Sequence, residues 1–318
     1  PVWLAETRTM LGEHIKDQMP VESGAMGVAL ITGDQGGISE NDAQAMRDSG
    51  MAHLLSISGL HVTAVVGFLF LLCSRTLALF PSPALRVPIP LIAAAGAAFG
   101  AVGYTLLAGA EVPTVRSCVA ALLVLIALAI GREALTLRLI AFGALVVLFV
   151  WPEAMAGPSF QLSFAAVATI VILHESPWMK RWGERLEAPV GIRIGRGVVS
   201  LVITGIAIEL VLAPIALFHF HRTGIYGALA NVIAIPLTTF VIMPAQALAL
   251  IADTTGLGGP FWWLAGQGIS AILFIAHYVN SFPASVSMLP AMPLWGYLAM
   301  IAGALASFTT ATIAGLLI

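Results

Sequence analysis

Charge is what this sequence has least of. Lys, Arg, Asp and Glu make up 9% of its 318 residues, where a soluble globular chain carries roughly 25%. Hydrophobic residues make up 59%, the mean hydropathy is +0.98, and several apolar runs approach ~20 residues, so a water-soluble domain is excluded. The runs are continuous rather than alternating, which excludes a membrane β-barrel. Basic excess is missing too. The 14 Lys and Arg against 16 Asp and Glu leave a net charge of −2, unlike an ordinary nucleic-acid binder. Cysteine is nearly absent: Cys73 and Cys118 lie in apolar runs, read as small core residues and exclude a disulfide framework. No HExxH motif and no carboxylate at ligand spacing accompanies the histidines, so no metal or other cofactor is expected. The chain begins Pro1-Val2-Trp3, carries no signal peptide and ends in an apolar stretch, Thr312 to Ile318. It reads as an excised membrane domain of a larger protein.

What is there is an all-α, polytopic helical membrane protein with about eight to ten membrane segments, some broken or re-entrant. Residues 1–50 are the most polar part. Trp3 to Gln18 reads as an amphipathic helix at the membrane surface, and Met26 to Thr32 as an apolar run too short to span. Ser39 is a good N-cap for a helix running to Asp48. Residues 51–318 carry the spans: about 60–79, 89–108, 112–130, 135–150, 160–173 and 198–217. Gly224 to Ile251 holds Asn231, Pro236 and Pro244, and reads as one kinked helix, two half-helices or a re-entrant pair. Two later candidates are 261–278 and 294–317. Arg and Lys gather after the first, third and fifth spans, which places those loops in the cytoplasm and the polar N-terminal segment outside.

The most unusual stretch is Met51-Ala-His-Leu-Leu-Ser-Ile-Ser-Gly-Leu-His61, at the head of an apolar run. On one straight helix, at about 100° per residue, His53, Ser56, Ser58 and His61 would point to about 0°, 300°, 140° and 80°. That is no single face. A break at Ser58-Gly59 is expected instead, and irregular backbone at depth belongs beside a cavity or inside protein. Further candidates are Arg116 near the outer end of the third span, Gln161 and Ser163 on different faces of the fifth, Glu209 in the middle of the sixth, and Asn231 with Pro236. An ionisable group at bilayer depth is costly unless paired, protonated or hydrated, so Glu209 marks a functional position by default. Three activities fit these residues: a polar translocation path; a secondary transporter with Glu209 as coupling acid; an intramembrane hydrolase at Ser58. The third suffers from poor geometry, since Ser58 and His61 are i,i+3 neighbours on one segment.

Three stretches, in this order, resemble the competence domain of the ComEC family of DNA-uptake proteins. They are Gly33-Asp34 with His53-Leu-Leu-Ser-Ile-Ser-Gly-Leu-His61, close to the family's HLLAISGLH signature; Pro158-Ser-Phe-Gln-Leu-Ser-Phe164; and Asn231-Val-Ile-Ala-Ile-Pro-Leu237. Ser56 stands where Ala is common, and the acidic element before the second stretch is reduced to Pro152-Glu153. The resemblance implies a bacterial inner-membrane channel that passes single-stranded DNA into the cytoplasm during natural transformation. Its partners would be the DNA, the lipid bilayer and other competence proteins, a DNA receptor and a cytoplasmic helicase. It also implies that any nuclease activity belongs to a C-terminal domain outside this chain, so that this part is not an enzyme.

Overall fold

The computed structural model describes residues 2–55, 57, 59–79, 88–110, 112–129, 136–183, 189–224, 226–282, 286–288 and 292–303. Helix dominates because a chain in hydrocarbon must satisfy its backbone within each segment. Helices α1 (Val2–Gln18) and α2 (Val21–Thr32) form an antiparallel hairpin. Gly12, Gly24 and Gly27 let the two backbones close on each other, against Val28, Lys16 and Ile15 respectively. Gly33, at φ 78°, ends α2. Helix α3 (Glu40–Asp48) starts where Ser39 accepts from the Asp42 N–H at 3.1 Å, as its capping residue predicts.

A 3₁₀ turn at Ala52–Leu54 precedes α4 (Gly59–Ala78), α5 (Ile89–Leu107), α6 (Val112–Ala129) and α7 (Leu137–Val150). Then come α8 (Pro158–Glu175), the short α9 (Pro177–Gly183) and the long α10 (Val190–Phe220). Strand β1 (Arg222–Gly224) pairs antiparallel with β2 (Val286–Met288), a small ribbon among described residues that are mostly helical. Between them lie α11 (Gly227–Leu237), α12 (Met243–Asp253) and α13 (Gly259–Asn280); α14 (Leu294–Gly303) follows β2. Among the described residues, six helical stretches are long and apolar enough to cross a membrane, and four more apolar helices are shorter. The polytopic all-α expectation holds.

The stretch with Pro236 and Pro244 is neither split nor turned back. Helices α11 and α12 are continuous through a π turn at Thr238–Ile242, between the two prolines. Each proline removes an N–H and crowds the carbonyl one turn earlier, and a wider turn absorbs that mismatch. The Thr238 hydroxyl donates to the Ala234 carbonyl at 2.8 Å.

One core joins the first fifty residues to the later helices. Met26 and Leu30 of α2, Met46 of α3 and Leu54 pack with Ile242 and with Trp262, Ile269 and Ile272 of α13. Helix α2 is buried throughout from Ser23 to Thr32. At 12 residues it reaches about 18 Å, too short for a ~30 Å hydrocarbon core, and it is enclosed by protein instead. Two histidine–aspartate contacts tie this N-terminal part down. His14 Nε2 donates to Asp253 Oδ2 at 2.7 Å, an oxygen that also accepts from Trp262 Nε1 at 2.8 Å. His277 Nε2 donates to Asp42 Oδ1 at 2.7 Å, while Ser39 Oγ donates to the other oxygen at 2.7 Å. A second cluster packs Val62 and Val66 of α4 on an alanine stripe of α5, Ala94, Ala97 and Ala101, with Cys118 and Leu125 of α6. Small residues suit close helix approach where lipid offers no hydrophobic drive.

Candidate functional site

Gly50 turns the chain from α3 into the polar stretch, with φ 76°. It does so against another glycine. A Cβ on Gly50 would lie 2.7 Å from the Cα of Gly227, the first residue of α11. Glu209 of α10 approaches the same side of Gly227: a Cβ there would meet Glu209 Oε1 at 3.2 Å, the Gly50 Cα at 3.3 Å and Glu209 Oε2 at 3.4 Å. One helical turn on, Asn231 Nδ2 donates a long hydrogen bond, 3.4 Å, to the Gly50 carbonyl. The Oδ1 of Asn231 is buried and unpartnered among the described residues. Three distant parts of the sequence therefore meet at one junction. The half-buried carboxylate of Glu209 lies at the N-terminal end of α11, where the helix dipole favours negative charge.

His53 hydrogen-bonds the Gly50 backbone and so belongs to the same junction. It is surrounded by protein, and this desolvation pushes its pKa down to about 4, the bond to Gly50 opposing. Its residue is nevertheless exposed at the protein surface rather than part of the packed core. His61, one turn into α4, is fully buried. Helix α4 begins at Gly59, so the two histidines lie on separate pieces of backbone, as the angular argument requires. Ser56 and Ser58 lie outside the described residues. Arg116 is buried in the first turns of α6. Its neighbour Ser117 lies 3.5 Å from where a Cβ on Gly59 would stand, so these turns adjoin the head of α4.

Gln161 and Ser163 belong elsewhere. Gln161 Oε1 accepts from His219 Nε2 at 2.8 Å and from Tyr297 Oη at 3.0 Å, and its Nε2 donates to the Met155 carbonyl at 3.0 Å. Tyr297 stacks on Phe218, with centroids 4.4 Å apart. The amide thus ties α8, α10 and α14 together. Ser163 is exposed on α8. Along α10, His219 stands ten residues from Glu209, about 15 Å of helix. Pro236 shapes the helix below Asn231. Among the described residues, no three His, Cys, Asp or Glu side chains converge as a metal site would. Sequence reasoning missed Gly50 and Gly227. Their only local signal is a glycine at an element boundary, Ser49-Gly50 and Tyr226-Gly227.

Such a molecule is a polytopic helical membrane protein with a polar junction where α10, α11 and the segment before α4 meet. The chain belongs to the Competence protein family, whose model matches residues 30–312. It is similar to Competence protein ComA of Neisseria gonorrhoeae, 31% identical over 267 residues, covering 84% of this chain and 36% of that protein. It is also similar to the uncharacterized protein YcaI of Escherichia coli, 29% identical over 258 residues, 80% of this chain and 33% of that one. Recombination protein 2 of Haemophilus influenzae is 27% identical over 253 residues, 78% of this chain and 31% of its own length. The chain spans about a third of the length of these curated relatives. No solved structure matches it.

Proposed function

We propose that the chain is the membrane channel of a DNA-uptake apparatus and passes single-stranded DNA into the cytoplasm during natural transformation. The observation that supports this best is the junction: His53, Glu209 and Asn231 come together through the Gly50–Gly227 contact. The path runs past that junction. His53 and His61 hold the irregular segment or contact phosphate, Ser56 and Ser58 supply hydroxyls, and Gly59 lets α4 begin there. Arg116 stands near the entrance. Pro236 shapes the path wall, Gln161 holds the helices beside it, and Ser163 adds a hydroxyl on α8. Proteins that grip single strands use a basic groove with stacking aromatics. Gly50, His53, Glu209, Gly227 and Asn231 form no such basic groove, so capture of the strand falls to domains flanking the chain in a longer protein, and a largely neutral polar lining lets the strand slide. Residues 1–50 form the extracytoplasmic part and residues 51–318 the channel of a bacterial inner-membrane protein. A DNA receptor outside and a helicase inside are its partners, and no bond of the DNA is broken in this chain.

The test uses a naturally competent host and the full-length protein. His61→Ala and Glu209→Gln are scored for transformants and for DNA held outside the inner membrane. Transformants should fall sharply while that external DNA persists. Normal transformation by well-expressed variants would remove the reading. A proton-dependent solute flux lost in Glu209→Gln, with transformation intact, would replace it by solute transport.

A further inference from the structure

We propose that α9 and the cations beside it form a docking surface for anionic phospholipid headgroups. Helix α9 joins α8 to α10, two helices long enough to cross a membrane, so it sits where they leave the bilayer. Trp178 and Trp182, four residues apart, share one face. Their rings lean together at 5.6 Å and 34°, and the residues are 50% and 37% exposed. Met179, one turn before Trp182, borders that face and reaches α10. It is buried, and Ser200 Oγ of α10 donates to its sulfur at 3.5 Å, which fixes the rotation of α9 on α10. With that rotation fixed, Arg181 is exposed on the side away from Met179 and Lys180 on the flank, and Arg193 is exposed at the start of α10. Indole rings favour the boundary between acyl chains and headgroups. Ammonium and guanidinium groups at that level attract anionic lipid. A nucleic-acid strand is the lesser fit, because the two rings lie against each other and leave no slot for a base between them.

The experiment places the purified chain in nanodiscs of phosphatidylcholine with and without phosphatidylglycerol. Lipids retained after detergent extraction are measured by mass spectrometry. Wild type should retain phosphatidylglycerol over phosphatidylcholine. The variant K180Q/R181Q should lose about fivefold of that preference per charge removed, whereas K16Q, on α1, should keep it. Quenching of tryptophan fluorescence by brominated phosphatidylglycerol should drop in W178F/W182F. Equal retention of phosphatidylglycerol by wild type and K180Q/R181Q overturns the proposal. So does a single-stranded oligonucleotide that quenches Trp178 and Trp182 where phosphatidylglycerol does not.

Discussion

Helices α13 and α10 are both long enough to cross a membrane, yet 44% of the α13 stretch is buried within the protein and only 11% of the α10 stretch. The two also differ in what they turn outward. Helix α13 packs Trp262, Gly266, Ile269 and Ala276 against neighbours that include α2, α3 and the π turn. Helix α10 exposes Val198, Val199, Ile206 and Leu210. In water such a face would not persist. In a bilayer it needs no partner, because lipid tails are as apolar as leucine. Hydrophobicity alone therefore does not mark the core. Protein packing holds α13, the bilayer holds much of α10, and the Glu209–Gly227–Gly50 junction lies where α10 meets α11 and the end of the α3 segment.

The sharpest way to break this comparison is to truncate one side chain on each helix. Trp262 is fully buried and Leu210 is 69% exposed. Trp262→Ala should cost about 3–5 kcal/mol, whereas Leu210→Ala should stay within about 0.5 kcal/mol. Unfolding of both variants in one detergent measures the difference. An equal cost would mean that protein, not lipid, covers the outer face of α10. Next comes the junction itself. Gly50→Ala puts a Cβ at φ 76° and 2.7 Å from the Gly227 Cα, a backbone neighbour that cannot swing aside. It should cost about 2–4 kcal/mol. Gly227→Ala should be milder, since its Cβ would stand 3.2 Å from the mobile Glu209 Oε1 and 3.3 Å from the Gly50 Cα, without the 2.7 Å clash or the positive φ of Gly50. Reversal of that order would mean the backbones are not held together there.

The spans before residue 290 were legible because each apolar run is bounded by Pro, Gly or charge, while of the expected 294–317 span residues 304–317 lie outside the described residues; α3 was legible from Ser39 and Asp42. The break before Gly59 followed from helical angles alone. The position of α2 did not. The apolar run Met26–Thr32 is too short to span, and Glu22, Ser23 and Gly24 hid the helix's true start at Val21. Only tertiary enclosure makes so short a helix useful at that place. Pro236 and Pro244 announced a disturbance without specifying a π turn, since several backbone adjustments relieve a proline. Glu209 and Asn231 could be singled out as costly polar groups at depth. That they meet through two glycines could not be foreseen, because Gly50 and Gly227 are far apart in sequence and carry no side chain to reveal a contact. Gln161 similarly called for partners but did not name His219 or Tyr297.

A further variant probes the thinly packed side. Gln161→Leu removes the oxygen that serves both His219 and Tyr297. Two donors lose one acceptor, so about 1–3 kcal/mol of local stability should go. Hydrogen exchange should quicken in α14 and at the C-terminal end of α10 more than in α13. Uniform quickening would mean that α8, α10 and α14 unfold together with the core, which erases the distinction between the two regions.

The smallest effect expected is on the densely packed side, at Asp42. Burial pushes the Asp42 carboxyl up, but hydrogen bonds from Ser39 and His277 and the His277 charge outweigh it, leaving the pKa below its ordinary 3.8. A depressed carboxylate pKa stabilises the fold fully above the unfolded value, and that contribution is lost as pH falls through the folded one. The window is therefore acidic, opening below about 3.8. Asp42→Asn keeps an oxygen for His277 but loses the charge, so at neutral pH it should cost about 1 kcal/mol or less. Below that window wild type and variant should converge, with the His14–Asp253 contact left in place in both. Stability measured against pH for the two proteins checks this. A gap that widened in acid would mean that His277 and Asp42 do not hold α3 to α13 through the carboxylate.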